Sequence, residues 1–339
     1  PDNNNTPNIA PAISVIICVR NEAQNLSKNL PKVLQQKHPS FELIVVNDAS
    51  TDDTPSILAK FSEQYKNLRI VTLKNKSTSG KKAALSEGIA AASFNDLLLT
   101  DADCSPNSAY WLGTMQNKLQ NSEIVLGYSP YNYQQTLLNY CIQFETSYTA
   151  LQYLSFALLG YPYMGVGRNL AYKKSLYHAH NGFKSHQHII SGDDDLFINQ
   201  AAKANNTAIE INPAAFCNSS PPYTWKQWFR QKKRHLSTGK HYTFTHKFLL
   251  GLLAMSHFLF YGMLIVGFIL QFHLLAVLVL YGFRLLAQLY IYQAMTQKKI
   301  NRLPLWVIPL FDVLYIVYYI LFTPSLLLTK KIEWKLERL

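Results

Sequence analysis

The chain has 339 residues, enough for two folding units at about 150 residues each. Its net charge of +12 at pH 7 fits an anionic membrane or a nucleic acid as partner. Between Glu210 and Asp312 there is no acidic residue, while Lys226, Arg230, Lys232, Lys233, Arg234, Lys240, Lys247, Arg284, Lys298, Lys299 and Arg302 lie among long apolar runs, which excludes nucleic acid and selects a membrane.

Residues 1–12 are a polar lead-in rich in Asn and Pro, and the absence of an initial Met leaves room for an upstream anchor or signal. Ile13 to Val19 reads as a buried strand, followed by Arg20-Asn21-Glu22 in a loop and a helix over Leu26 to Gln36. Phe41 to Val46 is a second strand stopped by Asn47-Asp48. Ser50-Thr51-Asp52-Asp53 caps a helix over Thr54 to Tyr65. A third strand, Leu68 to Leu73, precedes Gly80-Lys81-Lys82, which opens a helix to Ala92. Asp96 to Thr100 is a fourth strand leading into Asp101-Ala102-Asp103. Trp111 to Gln120 reads as a helix and Ile124 to Tyr128 as a strand. This alternation predicts an α/β fold with a doubly wound, mainly parallel sheet and right-handed crossovers.

Thr136 to Leu159, rich in Leu, Tyr and Phe, is either core or a helix at a membrane interface, with the interface slightly favoured. Gly192-Asp193-Asp194-Asp195 precedes another helical pattern. In Pro221 to Lys247, Trp225, Trp228 and Phe229 stand beside Lys226, Arg230, Lys232, Lys233 and Arg234, the pattern of an interfacial segment at headgroup level. Phe248 to Leu270 and Phe272 to Gln297 follow as apolar runs long enough for spans of about 20 residues. Leu303 to Thr329 carries Asp312, Pro304, Pro309 and Pro324, and reads as a third span or a re-entrant segment. The expected organisation is a lead-in at 1–12, a catalytic domain at 13–221, an interfacial segment at 222–247, membrane helices at 248–329 and a basic tail at 330–339. Cys18, Cys104, Cys141 and Cys217 form no Cys-x-x-Cys pair, which argues against a structural zinc site and fits a reducing cytosolic face.

The acidic residues that close apolar strands carry the functional signal. Ligands of open α/β sheets sit beyond the carboxyl ends of the strands, and an Asp-x-Asp pair there offers two hard oxygens to a divalent cation. Asp after a strand is also ordinary turn chemistry, but three such sites in order point to metal-assisted chemistry on a phosphate-bearing substrate.

The ordered set of strand-Arg-Asn-Glu, Val-Asn-Asp-Ala-Ser, Gly-Lys-x-x-Ala-Leu, Asp-x-Asp, Asp-Asp-x-Leu and Gln-x-x-Arg resembles membrane-associated family 2 glycosyltransferases of the GT-A fold, a Rossmann-like architecture. The resemblance covers residues 13 to about 240, and the closing Ile332-Glu333-Trp334-Lys335 is similar to a tail of members with C-terminal spans. It implies that Arg20, Glu22 and Asp48 serve the nucleotide, with Glu22 and Asp48 accepting hydrogen bonds from base and ribose. Lys81 contacts base or phosphate, or is a solvated helix start. Asp101 stands on the nucleoside side, also within reach of the metal, and Asp103 holds Mg²⁺ or Mn²⁺, which neutralises the departing diphosphate.

Asp193 is implied as general base because the family's base lies three residues before a Leu, here Leu196, with Gly192 replacing the usual Glu and Asp194 as a substitute. An acidic helix cap is the alternative. Gln231-Lys232-Lys233-Arg234-His235 resembles Gln-x-x-Arg-Trp, with His235 in place of Trp; Arg234 would bind the diphosphate, and Gln231 and His235 the acceptor. Gly165-Val-Gly-Arg-Asn169 resembles an acceptor-lining loop, or is a tight turn.

The implied activity is inverting, metal-dependent, non-processive transfer of a sugar from a UDP- or GDP-sugar to a lipid or lipid-linked acceptor. The catalytic domain is expected on the cytoplasmic side of a bacterial inner membrane. A processive polysaccharide synthase, a transporter and an inactive scaffold are the alternatives.

Overall fold

The computed structural model describes residues 11–73, 80–189, 191–271 and 273–328. Over these residues the chain forms two units, 11–130 with 153–220, and 131–152 with 221–328.

The first unit is built on β1 (Ile13–Val19), whose residues are buried apart from a half-buried Cys18. A β-branched run covered on both faces suits the middle of a parallel sheet. There β1 pairs in parallel with β2 (Phe41–Asp48) and β4 (Asp96–Asp101). The seven-stranded order is β3-β2-β1-β4-β7-β6-β8, with β3 at Leu68–Leu73, β6 at Ile124–Gly127, β7 at Leu170–Lys173 and β8 at Thr207–Glu210. The sheet is mainly parallel, as expected. The exception is β7, antiparallel to both β4 and β6.

Chain order runs outward from β1 to β3 and returns across β1 to β4, so the switch of direction falls between the carboxyl ends of β1 and β4. A crevice opens at such a point, and Cys18 stands opposite Asp101 there. A two-stranded ribbon of β5 (Cys104–Pro106) and β9 (Cys217–Ser219) follows immediately after the Asp-x-Asp turn.

The helices follow their apolar spacing. α1 (Ala23–Leu34) buries Leu26, Leu30, Val33 and Leu34 on one stripe, and starts three positions before the expected Leu26. α2 (Thr54–Gln64) is opened by Asp52, whose Oδ1 accepts the Thr54 N–H at 3.0 Å. α3 (Lys81–Ala91) and α4 (Trp111–Leu119) lie where the sequence places them. Trp111 donates its indole N–H to Asn169 Oδ1 at 2.9 Å, and the fully buried Asn169 amide donates to the carbonyls of Tyr128 and Ala215.

α5 (Leu137–Leu158) continues from the second unit into the first; Ile142 and Phe144 in the second and Tyr153 in the first are buried. In the first unit follow α6 (Lys174–Ala179) and α7 (Asp195–Ala201).

The second unit holds α8 (Trp225–Leu236), α9 (Phe244–Ile269), α10 (Leu274–Gln297) and α11 (Ile308–Leu328). Among the described residues, three helices are long and apolar enough to cross a membrane. Thr224 and Gln227 close a reciprocal capping box at the start of α8.

One expectation for α8 needs correction. The sequence pattern puts Trp228 and Lys232 at the lipid headgroups, yet both are buried. Trp228 packs on Tyr318 and Phe322, and Lys232 is ion-paired with Glu145 of α5. These residues, four apart, share a helix face, and that face is turned into the protein. Lys226, Arg230 and Lys233 remain exposed.

Asp312 ties the apolar helices together. Its carboxylate takes Arg284 of α10 at 2.8 Å and the Tyr261 hydroxyl of α9 at 2.6 Å. A charge in an apolar bundle persists when paired in this way.

Candidate active site

The loops after β1 and β2 are clasped together. Asn21 N–H donates to Ser50 Oγ at 3.0 Å, Thr51 N–H to Asn21 Oδ1 at 2.8 Å, and Ala23 N–H to Asp52 Oδ2 at 3.1 Å. Asn21 and Ala49 both have positive φ, 53° and 48°, which turns the chain sharply at both strand ends. This places Arg20 Nη1 4.0 Å from Asp48 Oδ2. That oxygen is buried and has no hydrogen-bond partner among the described residues, which leaves its acceptor capacity unused. Glu22 sits beside them at the start of α1 and accepts from the Asn25 amide at 2.5 Å.

Across the switch point, the Lys81 ammonium bridges two carboxylates, Asp101 Oδ1 at 2.7 Å and Asp193 Oδ2 at 3.0 Å. Burial alone would lower the Lys81 pKa, but the charges of Asp101, Asp193 and Asp194 outweigh it and hold the group well above the ordinary lysine value. Lys81 is therefore a fixed cation between a strand end and the acidic loop.

Asp103 accepts from Ser219 Oγ at 3.2 Å and from the Cys104 thiol at 3.4 Å. Burial, together with the nearby Asp101 charge, pushes its carboxyl above the usual range. Ligand atoms of Asp101, Asp103 and Cys104 lie within 4.8 Å of one another. The donor set fits a divalent cation, because two crowded carboxylates supply hard oxygens whose mutual repulsion a cation would relieve. Mg²⁺ and Mn²⁺ match the two oxygens; the buried thiol of Cys104 is a softer group that they do not need.

The two candidate bases have different surroundings. Asp194 caps α7: its Oδ1 accepts the Asp195 N–H at 2.8 Å, and its Oδ2 accepts the Gly167 N–H at 2.7 Å. Burial and the neighbouring Asp193 raise its pKa. Asp193 instead turns its carboxylate to Lys81. Gly192 has φ +92°, and a Cβ there would meet Leu196 at 2.5 Å, which explains glycine in the place of the usual Glu. Gly165 packs closely on Leu170, Ile198 and Leu126, where a Cβ would come within 3.0–3.2 Å.

The first unit thus brings together Arg20, Asp48, Lys81, Asp101, Asp103, Asp193 and Asp194 around one crevice. Gln231, Arg234 and His235 belong to α8 of the second unit. There Gln231 donates to the Tyr131 hydroxyl at 3.1 Å, Arg234 is half-buried and His235 is exposed.

Sequence reasoning missed Arg168 and Lys82. The Arg168 charge opposes the rise of the Asp103 pKa, and its carbonyl accepts from Thr100 Oγ1 at 2.9 Å. Its only signal was its place inside the Gly-Val-Gly-Arg-Asn loop. Lys82 is buried, with its pKa pushed down by burial to about 8, and donates to two carbonyls of the loop before Asp193.

Residues 14–179 match the family described as Glycosyl transferase family 2, and residues 98–325, well over half of the chain, match Glycosyl transferase family group 2. The chain belongs to the family 2 glycosyltransferases. It is 29% identical over 239 residues to the probable glycosyltransferase YdaM of Bacillus subtilis, covering 66% of this chain and 54% of that one. It is 40% identical over 104 residues to the glycosyltransferase AglE of Haloferax volcanii, covering 30% of this chain and 33% of the relative. The matches therefore span about half, and a third, of the lengths of these relatives. Among solved structures, the mannosyltransferase PcManGT from Pyrobaculum calidifontis in complex with GDP-Man and Mn²⁺ superimposes with a TM-score of 0.54 at 21% identity, over 68% of this chain and 62% of that one. The shared architecture is the GT-A fold.

Proposed function

We propose that this family 2 glycosyltransferase transfers a sugar, with inversion, from a UDP- or GDP-sugar to a lipid or lipid-linked acceptor at the cytosolic membrane face, one sugar at a time. The observation that carries the reading is the Lys81 ammonium held between Asp101 and Asp193 at the switch point of the sheet. It couples the end of the strand that would receive the nucleotide to the loop that would activate the acceptor.

Asp48 and Glu22 accept hydrogen bonds from base and ribose, with Asp48 Oδ2, which carries no hydrogen bond among the described residues, as the first contact. Arg20, Lys81 and Arg234 balance phosphate charge, Arg234 by its family motif. Asp101 and Asp103 hold Mg²⁺ or Mn²⁺, which when bound neutralises charge on the leaving diphosphate.

Asp193 takes the proton from the acceptor hydroxyl as the oxygen attacks the anomeric carbon opposite the diphosphate, which gives inversion. Asp194, spent on two backbone N–H groups, holds the loop. Gln231 and His235 are assigned to the acceptor through the same motif as Arg234.

The membrane acceptor is supported by the apolar helices and by the exposed cations Lys226, Arg230 and Lys233 on α8. A processive polysaccharide synthase is the second reading. His235 in place of the motif's Trp counts against it. The test is incubation of membranes containing the protein with labelled nucleotide sugars, then lipid extraction and mass spectrometry. One sugar added to a lipid is expected. A polymer would select the second reading, and donor turnover without any lipid product would remove the acceptor assignment.

A further inference from the structure

We propose that Lys82 is a positioning residue that latches the acidic loop to α3 and so sets where Asp193 stands. The proposal rests on the assignment of Asp193 as base for its catalytic consequence, and on geometry alone for the latch.

The described residues between α6 and α7 hold little regular structure. The loop turns through Asn181, Gly182 and Gly192, all at positive φ (56°, 59° and 92°), with one short 3-10 turn at Lys184–His186 between them. Its packing against α3 is incomplete. Lys82, Ala83 and Ser86 of α3 and Phe183, Lys184 and Gln187 of the loop border a cavity of about 370 Å³. Apolar contact fixes the loop at Phe183, which is buried against Tyr177 and Phe197, and leaves the stretch before Asp193 to other contacts.

Polar contact holds that stretch. The Lys82 ammonium donates to the His186 carbonyl at 2.7 Å and the Ile189 carbonyl at 2.9 Å, and the side chain is buried. An ionised donor on two backbone acceptors is stronger than a neutral hydrogen bond. Lys81 and Lys82 are adjacent at the first turn of α3 and hold the loop at two places, Lys81 by the Asp193 carboxylate and Lys82 by the backbone a few residues before it. Because the side chains of neighbouring helical residues diverge, the pair defines direction as well as distance. Among the described residues the Lys82 ammonium donates to the loop backbone and not to a group assigned to donor or metal, so it acts through the loop.

The test uses the full chain in detergent, with Lys82→Met, Lys82→Arg and Asp193→Asn variants. Hydrogen exchange followed by mass spectrometry reads the loop without any substrate. Lys82→Met is expected to speed amide exchange over residues 183–189 by about 10-fold, with β1 and β4 unchanged, as a local opening requires. Lys82→Arg, which keeps a charged donor, is expected to restore protection. In transfer assays Lys82→Met should lower kcat by about 10–100-fold, as a displaced catalytic group does, while binding of UDP or GDP in Mn²⁺ stays as in the unaltered chain. In an Asp193→Asn background it should add little.

Unchanged exchange in Lys82→Met would overturn the latch, as would loss of nucleotide binding in step with kcat. If Lys82→Met does not fold, Lys82→Gln serves in its place with the same expectations. Asp193→Asn with full turnover would remove the base assignment and leave the exchange result to decide the latch.

Discussion

Asp193 Oδ2 lies 3.0 Å from the Lys81 ammonium, whereas the neighbouring Asp194 spends both carboxylate oxygens on backbone N–H groups. The two acidic residues are adjacent in sequence and differ in what their carboxylates hold. Asp193→Asn is expected to cut kcat by about 10²–10⁴-fold with nucleotide affinity nearly intact, the loss typical of a general base. Asp194→Asn keeps one oxygen acceptor but turns an NH2 donor toward the other backbone N–H, which loses its partner, and is expected to cost about 1–3 kcal/mol of stability, read as a lower unfolding temperature. Turnover kinetics and thermal unfolding of both variants separate the roles. A kcat defect confined to Asp194→Asn would shift the base by one residue.

The proposed cation site should depend on pH with a sign that follows from Asp103. Its carboxyl is raised above the ordinary value of 3.8, by burial first and by Asp101 next. The metal-free folded state thus holds a proton that the unfolded chain releases, and this contribution to stability is lost as pH rises through the raised value. A bound cation must displace the same proton, so its affinity should grow with pH through that window and fall on acidification earlier than for an ordinary aspartate. Mn²⁺ titrations between about pH 4 and pH 8 check this, a range that brackets the carboxylate values. Asp103→Asn should abolish both the binding and its pH dependence, and EDTA should stop transfer. Full activity in EDTA would remove the metal from the mechanism.

The buried pair of Lys232 and Glu145 makes a prediction opposite to a headgroup role. Lys232→Met alone strands a buried carboxylate and is expected to destabilise by about 3–5 kcal/mol, with much of that recovered when Glu145→Leu is added. Lys226→Ala and Lys233→Ala should leave stability unchanged and weaken binding to anionic vesicles by about 1 kcal/mol each. Unfolding and vesicle cosedimentation of the same variants distinguish the two kinds of lysine.

These contrasts show which parts of the protein were legible in the sequence. β1, β2 and β4 were readable because a strand buried on both faces is a continuous apolar run, and their ends pointed directly to Asp48 and Asp101. β7 was not, because Leu170–Lys173 is too short to show a period and its pairing partners are distant in sequence. Lys81 was assigned through its motif, but nothing local says that it faces Asp193, more than a hundred residues away. Lys232 misled for the same reason. A basic run beside tryptophans looks uniform until Glu145 turns one of its members inward.

The last prediction concerns α11. By length it could cross a membrane, but its contacts describe a different path. Asp312, near its start, meets Tyr261 and Arg284 in the middle parts of α9 and α10. Tyr319, farther along, faces His257 and Phe258, and Phe322 packs on Trp228 and Phe229 of α8. α11 therefore runs back along α9 toward α8, the helix that precedes α9. The chain leaving α10 is held at that same level, where Arg302 donates to the Tyr131 carbonyl at 3.2 Å. We expect a re-entrant segment that starts at mid-depth, where the Asp312–Arg284 pair is kept from lipid, and returns to the side from which α9 enters. A green fluorescent protein or alkaline phosphatase fused after Leu339 reports the side. Fluorescence without phosphatase activity, matching a reporter placed after Lys299, is the expected result. Phosphatase activity after Leu339 with fluorescence after Lys299 would make α11 a full crossing. Asp312→Asn should loosen the segment without moving the reporter, because the aromatic contacts to α8 and α9 remain.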